Sequence, residues 1–302
     1  MTRSTCRFLL VVFAMGATAV LRAAPEVTAP PGDLPAALAL FAERRYAEAQ
    51  PVFEAVLAAN PHDTTALLHL GKLAAKRRER ELAVDYLGRA LAIAPDDPLL
   101  NFEYGAACSI HAGTMGTSFK ALGAARRGRQ AMERAVALEP SNLMFRQGLL
   151  EYYAEAPGIA GGSMRKAYEQ ADAISAIDLN QGAFARANLH RIEGDMMSAL
   201  QTLAEVIDRS PENYFALYQF GRCSAASGIA LERGLSSLQK CLELPAPDKG
   251  APPAYVWWRI GQIQAQLGDK SAARLALLQA QKLLPDDAKL AAEVAELDAV
   301  DA

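Results

Sequence analysis

Chemistry-bearing residues are scarce in this chain. Only four of its 302 residues are histidine, four are cysteine and two are tryptophan, and aromatic residues make up 7%. The histidines, His62, His69, His111 and His190, fall in no HExxH arrangement and pair with no cysteine at zinc-ligand spacing. There is no nucleophile elbow, no phosphate-binding loop and no dinucleotide fingerprint. Catalysis is therefore not expected, and neither is a cofactor or a metal. Excess positive charge is also missing. Lysine and arginine total 31 against 34 acidic residues, for a net charge of -3 and a pI near 5.9. Nucleic-acid binding depends on neutralising many phosphates, so nucleic acid is not an expected partner. No apolar run is long enough to span a bilayer as a helix; Phe8–Val20 falls short. Hydrophobic residues nonetheless reach 51%, too many for a disordered chain.

That short run has a different reading. Arg3 and Arg7 precede it, and Ala17-Thr18-Ala19 or Ala23-Ala24 follows with small residues at cleavage spacing. Residues 1–23 read as a secretory signal, with an uncleaved anchor as the other reading. Export, most simply to a periplasm, is the expected localisation. Residues 24–33 hold Pro25, Pro30 and Pro31 and read as a linker. Cys108, Cys223 and Cys241 remain after the signal. They match no metal motif, and they read as small buried hydrophobes or, alternatively, as a Cys223–Cys241 bridge permitted by export.

From Leu34 onward the sequence is periodic. Pro61 and Pro95 lie 34 residues apart, as do Pro211 and Pro245, and Pro140 and Pro285 fit the period with insertions. Two residues after five of the prolines stands Asp63, Asp97, Asn142, Asn213 or Asp287, each a helix N-cap type. Ala37, Gly71, Gly105, Gly221 and Gly261 recur where two helices would approach closely. Gly194, Gly228 and Gly268 mark turns that need positive φ. Ala49, Ala83, Ala199 and Ala273 are followed four residues later by Phe53, Leu87, Leu203 and Leu277.

This pattern resembles the tetratricopeptide repeat, a 34-residue helix-turn-helix unit. The resemblance implies an all-α solenoid, a right-handed superhelix with a concave groove. Seven units follow: 34–63, 64–97, 98–142, 143–179, 180–213, 214–253 and 254–287. The helix at 288–302 then acts as a polar cap. Two units carry insertions. Residues 110–125 bring Gly113, Gly116 and Gly123 between the helices of the third unit, followed by Lys120, Arg126, Arg127 and Arg129. The segment Ala156–Ser163 is Gly-rich and is expected to be a turn or, alternatively, an amide nest for an anion. The combination is also similar to the T-component of tripartite periplasmic solute transporters.

The repeat family implies which residues face the groove. In the later units these are Phe184, Asn188 and Arg191, then Phe215, Tyr218 and Arg222, then Tyr255, Trp258 and Gln262. Aromatic and arginine side chains anchor protein interfaces, so a protein or peptide partner is expected, with those aromatics packing beneath the next repeat as the bland alternative. In the early units Leu38, Phe41, Leu68, Leu99 and Phe102 would make an apolar face, with Lys72 and Lys76 as exceptions. Lys72 alone falls near the scheme of carboxylate-clamping repeats, so no such clamp is expected. Arg44-Arg45 and Lys76–Arg80 occupy matching turns and read as solvated loops, or as a basic edge meeting an acidic partner or anionic lipid. The functional expectation is a non-catalytic scaffold. The alternative is an accessory component of solute uptake that binds a small ligand.

Overall fold

A computed structural model of the chain describes residues 33–300. The expected signal segment and residues 24–32 of the expected linker lie outside the described residues. Among the described residues there are helices and no strands, and none of the helices is long and apolar enough to cross a membrane. The chain divides at Gly162–Ser163 into two compact units.

The first unit holds α1 (Leu34–Ala42), α2 (Tyr46–Ala59), α3 (Thr64–Lys76), α4 (Arg80–Ile93), α5 (Pro98–Ala112), α6 (Phe119–Leu138), α7 (Leu143–Glu155) and a 3₁₀ turn at Gly158–Ala160. Consecutive helices pair as antiparallel hairpins. Their starts are fixed chemically. Asp63 and Asp97 accept hydrogen bonds from the amides of Ala66 and Leu100 at 2.8 and 2.9 Å, and Asn142 caps α7 the same way. Each such cap contributes about 1 kcal/mol. A β-carbon on Gly71 would lie 2.6 Å from Leu87 Cγ, so the absent side chain is what lets α3 and α4 close on the fully buried Leu87.

The first insertion departs from its reading as a loop. Only residues 113–118 connect the helices, and the remainder lengthens α5 to 15 and α6 to 20 residues. Ser118 caps α6 through the Ala121 amide, and buried Ala121, Ala124 and Ala125 carry the helix past Gly123. In the second insertion the amides of Ala160 and Gly162 donate to Pro157 O, and that of Gly161 to Gly158 O. With those three amides bonded within the loop, the segment matches the turn reading better than the anion nest. The Tyr152 hydroxyl lies 2.8 Å from Ala160 O and 3.0 Å from Ala125 O, tying the loop to α6.

The expected apolar early face is largely filled. Phe41 packs edge-on against Tyr46, Phe53 and His69, and Phe102 lies against Phe145. Lys72 is tied to Glu103 at 2.6 Å across α3 and α5. The basic turns carry their own counter-charges, Arg45 with Glu43 and Glu48, Arg77 with Glu79, while Lys76 sits over the Tyr46 ring.

His69 makes this core acid-sensitive. Its ring stacks on Phe53 at 4.9 Å and meets Phe41 edge-on at 4.8 Å. Nδ1 lies 2.8 Å from the Thr65 carbonyl, which only accepts, so Nδ1 carries the proton of a neutral ring. Burial is the main cause that lowers its pKa; Lys72 lowers it further, while the Thr65 bond and Glu103 act in the opposite sense. A histidine with a depressed folded pKa stabilises the fold fully above its unfolded value, about 6.5, and loses that stability as pH falls toward the folded value. The urea midpoint of this unit should therefore drop from pH 7.5 to 5. His69→Phe should flatten its own share of that slope, and equal slopes for both proteins would refute the assignment.

The second unit holds α8 (Met164–Ile177), α9 (Leu179–Glu193), α10 (Met196–Arg209), α11 (Tyr214–Ser227), α12 (Leu231–Glu243), α13 (Pro253–Gln266), α14 (Lys270–Leu283) and α15 (Ala288–Val300). Hairpins α9/α10, α11/α12 and α13/α14 are closed by turns at Gly194, Gly228 and Gly268, whose φ angles of 83°, 75° and 86° suit glycine. Cys108, Cys223 and Cys241 are free and buried, and burial pushes the Cys241 thiol up to about 12. The Cys223–Cys241 bridge is not formed. Between α8 and α9 no loop exists. Asp178 ends one helix and caps the next, accepting from the Asn180 and Gln181 amides at 2.9 Å.

Candidate binding face on the first helices of the second unit

The residues assigned to a groove lie on α9, α11 and α13, the first helices of three successive hairpins. α11 and α13 are neighbours, joined by the Gln266 side-chain amide, which donates to Ala225 O at 2.7 Å. On α9, Arg191 is exposed and held by Asn188 Oδ1 at 2.8 Å, while Phe184 is half-buried against Leu200, Leu203 and Phe220. On α11, Phe215 is 40% exposed, and Tyr218 and Arg222 are half-buried one turn apart.

The residues on α13 depart from expectation. Trp258 is 5% exposed and packs with Leu277, Ala280, Leu290 and Val294. Its indole Nε1 donates to Glu293 at 2.7 Å, and Gln262 Nε2 donates to the same carboxylate at 2.9 Å. Tyr255 is half-buried and stacks on Trp258. α15 thus covers the α13 face where a further hairpin would otherwise sit, and Trp258 is core rather than an open anchor. The sequence held the signal for this: an amphipathic helix after the last repeat must lay Leu290 and Val294 on something.

The same face contains a residue the repeat positions did not single out. Arg259 Nη1 donates to Gln262 Oε1 at 2.7 Å, its guanidinium lies 5.6 Å from the Trp258 ring, and its Nε is buried without a hydrogen-bond partner. Elsewhere in the unit, Tyr168 donates to Glu193 at 2.7 Å and stands 3.1 Å from His190 Nδ1, an arrangement that holds α8 to α9. Among the described residues no set of three or more His, Cys, Asp or Glu converges as metal ligands.

Two family profiles described as tetratricopeptide repeat match the chain, one at residues 40–101 and one at 254–287. The chain is a tetratricopeptide-repeat protein. No curated protein matches it. Among solved structures, a tetratricopeptide repeat protein from Parabacteroides merdae aligns with a TM-score of 0.58 at 13% identity, covering 87% of this chain and 96% of that one. The C-terminal part of a TPR repeat-containing protein from Cytophaga hutchinsonii aligns at 0.52 and 16% identity, covering 85% and 97%. A chain in the APC/C hetero-tetramer Cut9–Hcn1 aligns at 0.50 and 15% identity, covering 88% of this chain and 48% of that one. At these identities the likeness is one of fold. Tetratricopeptide folds are as a rule non-catalytic scaffolds, and this fold suggests a protein partner in general.

Proposed function

We propose that this tetratricopeptide protein is an exported scaffold that binds a protein or peptide segment on the α9–α11 face of its second unit. The observation that supports it most is Phe215, a large aromatic left 40% exposed beside half-buried Tyr218 and Arg222 and exposed Arg191. Aromatic and arginine side chains in partly desolvated surroundings are the residue types that dominate interface energetics. Export rests on the signal pattern of residues 1–23 alone. The small-ligand alternative rested on the transporter-component resemblance and on the apolar early face, and on that face Phe41 packs against Phe53 and Lys72 pairs with Glu103.

The experiment is affinity capture from lysate of the source cell with the chain from residue 24, beside the pair Phe215→Ala and Tyr218→Ser. Circular dichroism should show both proteins equally helical. A protein retained by the first and lost by the second is expected. Identical captures from both, or none, would remove the face from consideration.

A further inference from the structure

The hairpin of α5 and α6 is longer than the one before it, and the extra length gathers at its turn. α4 has 14 residues and α6 has 20, so roughly the first one and a half turns of α6 have no counterpart in the preceding hairpin. The inner side of this extension is buried. Ala112, Ala124, Ala125 and Ala160 form one cluster, with Met115 and Leu122 packed against it. The two insertions thus complete each other's packing, and the Tyr152 hydroxyl holds them together at Ala125 O and Ala160 O.

The outer side is different. Phe119, the first residue of α6, is 94% exposed, and Ile159, in the 3₁₀ turn held against α6, is 74% exposed. A phenylalanine left almost wholly in water gains nothing from folding. Seven residues make about two helical turns, so Arg126 shares a face of α6 with Phe119, and Arg127 shares one with Lys120. All four are exposed, and among the described residues Lys120, Arg126 and Arg127 form no ion pair. Residues 104–132 and 156–162 contain no aspartate or glutamate. Glu133, the next acid along α6, is engaged by Arg129 and Tyr153. In a chain of net charge -3, the extension is a local excess of positive charge around protruding apolar side chains.

We infer that this tip, with Phe119, Lys120 and Arg126 at its centre, docks on an anionic membrane surface. Phe119 enters the boundary between headgroups and acyl chains, and the cations behind it meet lipid phosphates. Ile159 is a second apolar contact. Insertion of one or two apolar side chains binds a bilayer only marginally, and a basic patch supplies the second signal that stable docking needs. The shape favours a membrane over an acidic protein. Aromatic anchors of protein interfaces sit in well-packed, desolvated surroundings. Phe119 stands bare at a helix end, which suits a soft surface that closes around it. The inference is independent of the protein-binding reading and holds or fails whatever the α9–α11 face binds.

The test is cosedimentation with vesicles, using the chain from residue 24 so that the apolar run at 8–20 cannot itself bind lipid. Vesicles of phosphatidylcholine with about a third phosphatidylglycerol should retain the protein, pure phosphatidylcholine should not, and retention should fall as salt rises. Lys120→Gln with Arg126→Gln should weaken binding roughly thirtyfold. Phe119→Ser should weaken it about tenfold while leaving the melting temperature unchanged, since the ring packs on nothing. Phe119→Trp should still bind. Its emission, taken as the difference from the native chain, should shift to the blue on anionic vesicles and be quenched by lipids brominated near the headgroup. No retention by anionic vesicles, retention indifferent to both variants, or an unshifted Phe119→Trp emission would overturn the inference. Polyglutamate bound through Lys120 and Arg126 with no response to vesicles would overturn it in favour of an acidic protein. A dimer abolished by Phe119→Ser, again without vesicle binding, would overturn it in favour of a second copy of the chain.

Discussion

Trp258→Ala should destabilise the second unit by about 3–5 kcal/mol, the usual cost of removing a buried tryptophan. The indole is enclosed by Leu277, Ala280, Leu290 and Val294, and its Nε1–H satisfies Glu293. Truncation would open a cavity and also leave that carboxylate with only Gln262, a loss of about 1 kcal/mol more. Hydrogen exchange should show α15 losing protection before the hairpins do, because α14 and the Trp258 and Gln262 side chains of α13 are its supports. Trp258→Phe keeps most of the packing and should cost about half as much. Phe215→Ala, at a position 40% exposed, serves as the contrast and should shift stability by no more than about 1 kcal/mol. A Trp258→Ala midpoint in urea equal to the native one would show that α15 does not seal this end of the unit.

The second large effect is expected at Gly182. A β-carbon there would lie 1.9 Å from Ser175 Oγ, 2.4 Å from Ser175 Cα and 2.5 Å from Ser175 N. Two of those atoms are main chain and cannot rotate away. Alanine is intrinsically better in a helix by about 1 kcal/mol, but here α9 must part from α8, and overpacking of this kind costs about 1–3 kcal/mol or more. Gly182→Ala should therefore lower the unfolding midpoint of the second unit. Gly123→Ala is the matched control. Its β-carbon would meet only the tip of Arg127, at 3.6 Å, and the helix should gain. A neutral Gly182→Ala would mean the two helices are not in close contact at that turn.

These two sites show what the sequence made legible and where it stopped. Punctuation was legible because it is local. A cap at Asp63 or Asn213 needs only its own oxygen and an amide three residues on, and a glycine at 194 or 268 needs only its own φ. Close helix approaches at Gly71, Gly221 and Gly261 were legible because the repeat placed them opposite a large residue. The first insertion misled because Gly113, Gly116 and Gly123 outweighed Ser118 and the alanine run that carry α6 through it. Gly182 escaped notice because it lies outside the repeat pattern, in the junction where Leu179 replaces the usual proline. Trp258 was misplaced for a different reason. Whether a residue at a groove position is open depends on what the neighbouring element covers, and that is a property of tertiary packing. Arg259 was missed because the burial of its Nε is a matter of packing and not of repeat spacing.

The junction at Asp178 has a consequence for how the chain can vary in length. One residue serves as the end of α8 and the cap of α9, so there is no slack between them. At 3.6 residues per turn, each residue added or deleted there would rotate α9 by about 100° about its own axis. Ala185 and Leu189 would leave the interior. The connection at 113–118 and the loop at 156–163 carry no such constraint, since each already joins helices through several non-helical residues. Related chains should therefore differ in length at those two loops while keeping the α8–α9 step at constant length. A change in length at Asp178 would survive only with a compensating one within the same turn.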